Sequence, residues 1–233
     1  MANTMNENDF SHYLQDWVSA LPEMDGTPVW KEAEHTALVC VDVINGFCKA
    51  GPLASPRVAA IIPPIVGLFQ KAWQAGCRNL FLIQDTHEPD AVEFGAFPPH
   101  CVRGSEESQT VDEIKALPFF DQFILMEKNS IDSGMNTGLD AWIAEHPEVR
   151  TYIVLGDCTD LCTYQLAMHL RMHANAFQKQ RRVIVPATCC DTYDTPIAVA
   201  KEIGAFAHPA DYFHNVFLYH MALNGIEVVK EIR

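Results

Sequence analysis

The chain has 233 residues, with 30 acidic against 16 basic side chains and a formal charge of -14. That excess argues against nucleic acid or an anionic membrane as the main partner, because both demand a basic footprint to displace counterions. With 48% hydrophobic and 20% charged residues the composition is globular rather than disordered, and the length suits one domain or at most two.

The chain opens on MANTMNENDFSHYLQDW, with no basic region followed by an apolar run, so no secretory signal is expected. Eight Cys in this length fall well below the density of a disulfide scaffold, and reduced thiols in the cytoplasm are the simplest expectation. Every apolar run is broken by Pro, Gly or charge before the roughly 20 residues a membrane-spanning helix needs. Residues 1–35 are mixed polar and aromatic, carry Pro22, Gly26 and Pro28, and read as an N-terminal arm with at most an amphipathic turn from Phe10 to Trp17. Residues 36–233 read as one domain.

That domain starts with a run of β-branched and apolar residues from Thr36 to Asp42, as expected of a strand buried on both faces. Similar runs recur at Asn79 to Asp85, Phe123 to Lys128, Thr151 to Asp157 and Arg182 to Thr188. Between them lie helical patterns: one opening at Pro63-Pro64 and closing at Gly76, one from about Thr159 to Asn175, and one starting near Pro196. Strands alternating with helices predict an α/β fold of three layers, a doubly wound, mostly parallel sheet with helices on both faces. Ligands bind such sheets beyond the carboxyl ends of the strands. Asp42, Asp85, Lys128 and the segment after Asp157 are therefore expected at one edge.

Cys162 occupies a turn between an apolar strand and a helical pattern. A thiol at a helix N-terminus is expected to have a lowered pKa, and a strand-to-helix elbow leaves backbone N–H groups free for an oxyanion. Taken alone it reads first as one of several core thiols. Asp42 could accept its proton, and Lys128 could stabilise both the carboxylate and the thiolate. Asp85 and His87 leave a strand at alternate positions, His100 follows in a loop and Glu93 lies between, a ligand set suited to Zn²⁺, Mn²⁺ or Fe²⁺. With ten His in the chain, an Asp-x-His also arises by chance. Cys40, Cys77, Cys189 and Cys190 are expected in the core, and His169 and His173 on a helix surface or in the core. Phe47 and Phe97 flank the polar candidates and could stack on a flat ring.

With these residues assembled, the sequence from Thr36 onward resembles the isochorismatase-like cysteine hydrolases, and within them the nicotinamidase branch. VDVINGF around Asp42, QDTHEPD followed by FPPHCVRGS, MEKNSIDSG around Lys128 and GDCTDLCT around Cys162 carry the resemblance, and LYHMALNGIEV fits the family's closing helix. The resemblance implies a catalytic triad of Asp42, Lys128 and Cys162, and an oxyanion hole from the backbone N–H groups of Cys158 and Cys162. It further implies a cis peptide at Asp157-Cys158, metal ligands Asp85, His87 and His100 with Glu93 as a variable fourth, and aromatic substrate walls at Phe47 and Phe97. Zinc is the first choice of divalent metal, with manganese or iron as alternatives.

The implied activity is hydrolysis of a small, nicotinamide-like carboxamide to acid and ammonia through a thioester. A homo-oligomer is expected; the arm lies outside the resemblance and has no assigned role, packing across a subunit interface and lidding the site both being open to it. Departures fall in the pocket walls: Ile44-Asn45-Gly46 after Asp42, Thr86 between Asp85 and His87, and Phe97 where a Trp is common. They leave open a related hydrolase of another amide, carbamoyl or ureido compound, and a non-catalytic metal-binding or redox-responsive protein. A vinyl-ether hydrolase is disfavoured because those relatives lack the nucleophilic Cys.

Overall fold

A computed structural model describes residues 6–233. Six parallel strands run in line across the main sheet, with Cys190–Asp191 as a short seventh paired to the end of β4: β1 (Thr36–Val41), β2 (Asn79–Asp85), β3 (Ile124–Lys128), β4 (Thr151–Asp157), β5 (Arg182–Pro186) and β6 (Glu227–Val229). Their order across the sheet is β3-β2-β1-β4-β5-β6, and each pairing is parallel. The order reverses between β1 and β4, which opens a crevice beyond their carboxyl ends, the position where doubly wound sheets bind ligands.

Alternation along each strand builds two cores. Leu38 and Cys40 of β1, Leu80 and Leu82 of β2, and Ile153 and Leu155 of β4 face α2 (Ile62–Gln74). Their neighbours Val39, Phe81 and Val154 face the other side. There they meet α3 (Leu139–Glu145), α4 (Cys162–Ala176) and α6 (Ala210–Leu223). Both faces are covered, so these strands read as unbroken apolar runs.

The strand ends differ from expectation by a few residues. The last strand stops at Pro186 and continues as a short 3₁₀ turn to Cys189, and the helix expected from Thr159 starts at Cys162 because Thr159 to Leu161 make the turn. Near Pro196 lies only the seven-residue α5 (Ile197–Ile203), ended by Gly204. The segment expected to close the chain as one helix splits: α6 ends at Leu223, Gly225 reverses the backbone, and β6 follows.

The arm is more ordered than its composition predicts. Helix α1 (Glu7–Ser19) opens at Asn6, whose side chain accepts from the Asn8 N–H. It docks on α6 of its own chain, where Phe10, Tyr13 and Trp17 surround Tyr219 at ring separations of 5.7, 5.9 and 5.2 Å. Glu23–Met24 then pairs in parallel with Glu231–Ile232, tying both ends of the chain together. Among the described residues all eight cysteines are free, and no helix is long and apolar enough to cross a membrane.

At the crevice the two central strands approach closely. Gly156 has φ +118, and a Cβ there would lie 1.9 Å from the Val41 carbonyl oxygen. Gly156→Ala is expected to destabilise the fold by about 3 kcal/mol or more, read as a lowered midpoint in urea unfolding; an unchanged midpoint would show that β1 and β4 can part without penalty.

Candidate active site

The side chains at the crevice come from four strand ends. Just past β1 the backbone turns through a positive φ of 60 at Asp42, uncommon for a residue with a Cβ but tolerated by Asp. The turn brings Asp42 Oδ1 to the Asp85 N–H at 2.8 Å. Lys128, at the end of edge strand β3, reaches inward and is fully buried. Its Nζ lies 2.8 Å from Asp42 Oδ2, donates a hydrogen bond to Asp85 Oδ1, and stands 3.5 Å from Cys162 Sγ. Cys162 is the first residue of α4, buried, with its sulfur within 4.8 Å of carboxylate oxygens of both Asp42 and Asp85. Asp42, Asp85, Lys128 and Cys162, expected at one edge of the sheet, do meet there.

Asp85 also belongs to a second cluster. One of its oxygens, His87 Nε2 and His100 Nε2 lie within 4.8 Å of one another, all buried. His87 Nδ1 is 2.9 Å from Asn129 Oδ1, and His100 Nδ1 is 2.8 Å from the Pro98 carbonyl. A carbonyl can only accept, so these contacts hold the proton on Nδ1 and turn each Nε2 lone pair towards Asp85. His87 Nε2 is buried without a hydrogen-bond partner. An orphaned imidazole nitrogen beside a second imidazole and a carboxylate is the donor set of a borderline divalent cation such as Zn²⁺. Glu93 stands at the edge of this set, its Oε1 3.9 Å from His87 Nε2.

A cavity lined by Asp85, His100 and Cys162 connects the two clusters. Phe47 and Phe97 line it as expected, their rings 5.6 and 6.2 Å from that of His100. Ile131, Leu161 and Tyr193 complete its walls. The peptide bond between Asp157 and Cys158 is cis. Among the described residues the N–H groups of Cys158 and Cys162 donate to no other group of the protein. They stand at the cavity where α4 begins.

The isochorismatase domain model matches residues 36–213, most of the chain and all of the site. The chain belongs to the isochorismatase family. Nicotinamidase 1 of Arabidopsis thaliana is 34% identical over 212 residues, covering 84% of this chain and 85% of that protein. The nicotinamidase/pyrazinamidase of Mycobacterium tuberculosis is 27% identical over 180 residues, covering 72% and 93% respectively. Among solved structures, the pyrazinamidase/nicotinamidase of Streptococcus mutans aligns with a TM-score of 0.66 at 20% identity, covering 83% of this chain and 99% of that one. The N-carbamoylsarcosine amidase of Thermoplasma acidophilum gives 0.59 at 24%, covering 84% and 95%. At those identities the likeness to the solved structures is one of fold.

In this isochorismatase-family site, charge is divided unequally. Burial would raise Asp85, but the Lys128 ammonium outweighs it and holds the carboxyl well below the usual range. Burial and the neighbouring Asp85 push Asp42 up to about 6, against the pull of Lys128. Cys162 corrects an expectation: burial, reinforced by Asp42 and Asp85, raises the thiol far above its ordinary value although Lys128 opposes this. The helix N-terminus and the ammonium do not make a resting thiolate.

The sequence reading passed over the support behind the nucleophile turn. His208 Nε2 lies 2.8 Å from Asp160 Oδ2, and its Nδ1 2.8 Å from the Tyr193 carbonyl. Its ring is sandwiched between Tyr193 at 3.9 Å and Phe213 at 4.4 Å. Asp160 sits two residues before Cys162 and Tyr193 is a cavity wall, so this stack joins the nucleophile turn to the substrate slot. Elsewhere His169 of α4 meets Asp140 of α3 at 2.6 Å.

Burial disfavours a charged His208, but Asp160 outweighs it and raises the pKa above 6.5. Asp160 is correspondingly held below 3.8, His208 outweighing its own burial. A raised histidine contributes stability that is full below its unfolded pKa and lost as pH rises through its folded value; a depressed carboxylate contributes stability lost as pH falls through its folded value. The pair is therefore expected to stabilise fully between about pH 3.8 and 6.5 and to fade above. The difference in thermal midpoint between the parent chain and His208→Gln should shrink as pH rises past that window. A difference independent of pH would show that His208 acts by packing alone.

Proposed function

We propose that this hydrolase cleaves a small, nicotinamide-like carboxamide to the acid and ammonia through a thioester on Cys162. The observation that carries the reading is the meeting of Asp42, Lys128 and Cys162 around one buried ammonium, with Cys162 lining a cavity whose walls are mostly apolar. Asp42, with its pKa near 6, is suited to take the thiol proton and later return it. The sulfur attacks the amide carbon, and the N–H groups of Cys158 and Cys162 receive the developing oxyanion. Asp42 protonates the departing ammonia, then activates the water that hydrolyses the thioester. Lys128 keeps the carboxylate and the transient thiolate from facing each other uncompensated.

Phe47 and Phe97 would hold a flat ring, and the apolar walls exclude water from the acyl-enzyme. Asp85, His87 and His100 would hold a divalent metal, zinc first, with Glu93 as a further ligand; bound there it supplies a Lewis-acid point that orients and polarises the substrate. Residues 36–233 serve as the hydrolase domain, with residues 1–35 an added arm. Reduced thiols suit a cytoplasmic enzyme, and a homo-oligomer is in keeping with the resemblance.

Ammonia release from a panel of carboxamides, nicotinamide first, tests the reading. Turnover of nicotinamide, a loss of about 10⁴-fold or more in Cys162→Ala, and about 100- to 10,000-fold in Asp42→Asn are expected. No release from any carboxamide by folded, zinc-loaded protein would overturn it.

Metal removal gives a separate expectation. Chelator-treated protein should bind one Zn²⁺ per chain by calorimetry, and His87→Ala or His100→Ala should weaken that binding at least about tenfold. Equal affinity in the variants would remove the metal from the reading.

A further inference from the structure

The two N–H groups assigned to the oxyanion, those of Cys158 and Cys162, stand at opposite ends of one turn. Donors of this kind act when they lie about 2.7–3.1 Å from the oxygen on which charge develops, so the spacing between them has to be held. Inside the turn the Cys158 carbonyl accepts from the N–H groups of Leu161 and Thr163 at 3.0 and 3.1 Å. Leu161, the residue before α4, adds no side-chain cap. The remaining support comes from outside.

The inner residues of the turn, Thr159 and Asp160, are both buried, and each meets a histidine at or beside the start of α6. Thr159 Oγ1 lies 2.8 Å from Nδ1 of His214, within the helix. Asp160 Oδ2 lies 2.8 Å from Nε2 of His208, just ahead of it. The Thr159 N–H donates to the Asp191 carbonyl at 3.0 Å, and Arg57 ties that residue to the helix, meeting Asp191 Oδ1 and Asp211 Oδ1 at 2.9 Å each. Consecutive residues of the turn are thus clamped to one element by directional contacts, where apolar side chains would fill the space without fixing the backbone.

We infer that His208 and His214 are positioning residues that hold the oxyanion donors at their working spacing, acting through Asp160 and Thr159. Cys158, Leu161 and Cys162 of the turn line the cavity and neither histidine does, so the imidazoles act at one remove from the reacting atoms. The inference rests on the carboxamide reading and deepens it by placing control of the oxyanion on α6. A small displacement of one donor weakens a contact made in the transition state and leaves the bound amide, whose carbonyl carries no full charge, nearly unaffected. The clamp therefore acts on kcat and not on KM.

The test uses the full, zinc-loaded chain with nicotinamide, in the parent, Thr159→Val, Thr159→Ser, His208→Phe and His214→Phe. Valine keeps the shape of threonine without its hydroxyl, and phenylalanine keeps a ring without its nitrogens. Thr159→Val and the two histidine variants should each lower kcat about 10- to 100-fold with KM within about threefold of the parent, while Thr159→Ser retains most of the rate. Unchanged kcat in these variants, or a loss carried by KM, overturns the inference.

A second measurement needs no turnover. Pyridine-3-carbaldehyde accepts a thiol: the S–C bond forms, the carbonyl π bond breaks, and the thiol proton passes to the oxygen, which in an adduct with Cys162 lies where the oxyanion would. By calorimetry this aldehyde should bind Thr159→Val and His214→Phe about tenfold or more weakly than the parent, while nicotinamide binds Cys162→Ala equally with and without Thr159→Val. If no amide is hydrolysed and the aldehyde still discriminates, the reaction falls and the clamp on the donors stands. Equal weakening of both ligands marks a purely structural role and overturns the clamp, as does an aldehyde that binds parent and variants alike or binds none of them.

Discussion

One buried ammonium faces two carboxylates, and it can fully compensate only one of them. Lys128 touches both Asp42 and Asp85 in a site closed to solvent. With like charges this close, the carboxyl groups separate in proton affinity. Asp85, which donates no proton to its neighbours and is held by Lys128, stays ionised; Asp42 rises to about 6. The separation assigns their work. A permanently charged oxygen suits a cation, and an exchangeable proton suits a thiol. Asp85 is the shared member through which the metal-type cluster and the nucleophile cluster become one site.

The sheet order makes that sharing possible. Asp42 and the turn from Cys158 to Cys162 leave neighbouring strands β1 and β4, on either side of the point where the winding reverses. Asp85 and Lys128 leave the next two strands, and their register sets them opposite each other. Gly156 allows the central strands to approach closely enough for side chains from four strand ends to converge. The His208 stack then fixes the outer side of the nucleophile turn to the Tyr193 wall, so packing that supports the chemistry also shapes the slot.

Much of this was legible in the residues because the strands are buried on both faces. Asn79 to Asp85 and Thr151 to Asp157 stand out as unbroken apolar runs and have the limits the pattern predicts. Each chemical residue at their ends was visible as a polar atom where apolar character stops. What escaped was what only tertiary contact decides. Helix α1 has a weak apolar stripe, and its aromatic residues gain meaning from Tyr219, some 200 residues away in sequence. Strand β6 spans three residues, too few for periodicity to show. His208 and Tyr193 lie in loops on either side of α5, with no motif. The elevated thiol of Cys162 follows from its depth, which a helix-start pattern does not convey.

The most direct test of the shared ammonium is the pH dependence of Cys162 alkylation in metal-free protein, followed by peptide mass mapping, in the parent and in Asp85→Asn. Neutralising Asp85 removes a repelling charge from Asp42 and leaves it sole claim on Lys128. The midpoint of the alkylation profile is expected to move to lower pH. An unmoved midpoint would contradict the account, because Asp42 and Asp85 would then be titrating independently of each other.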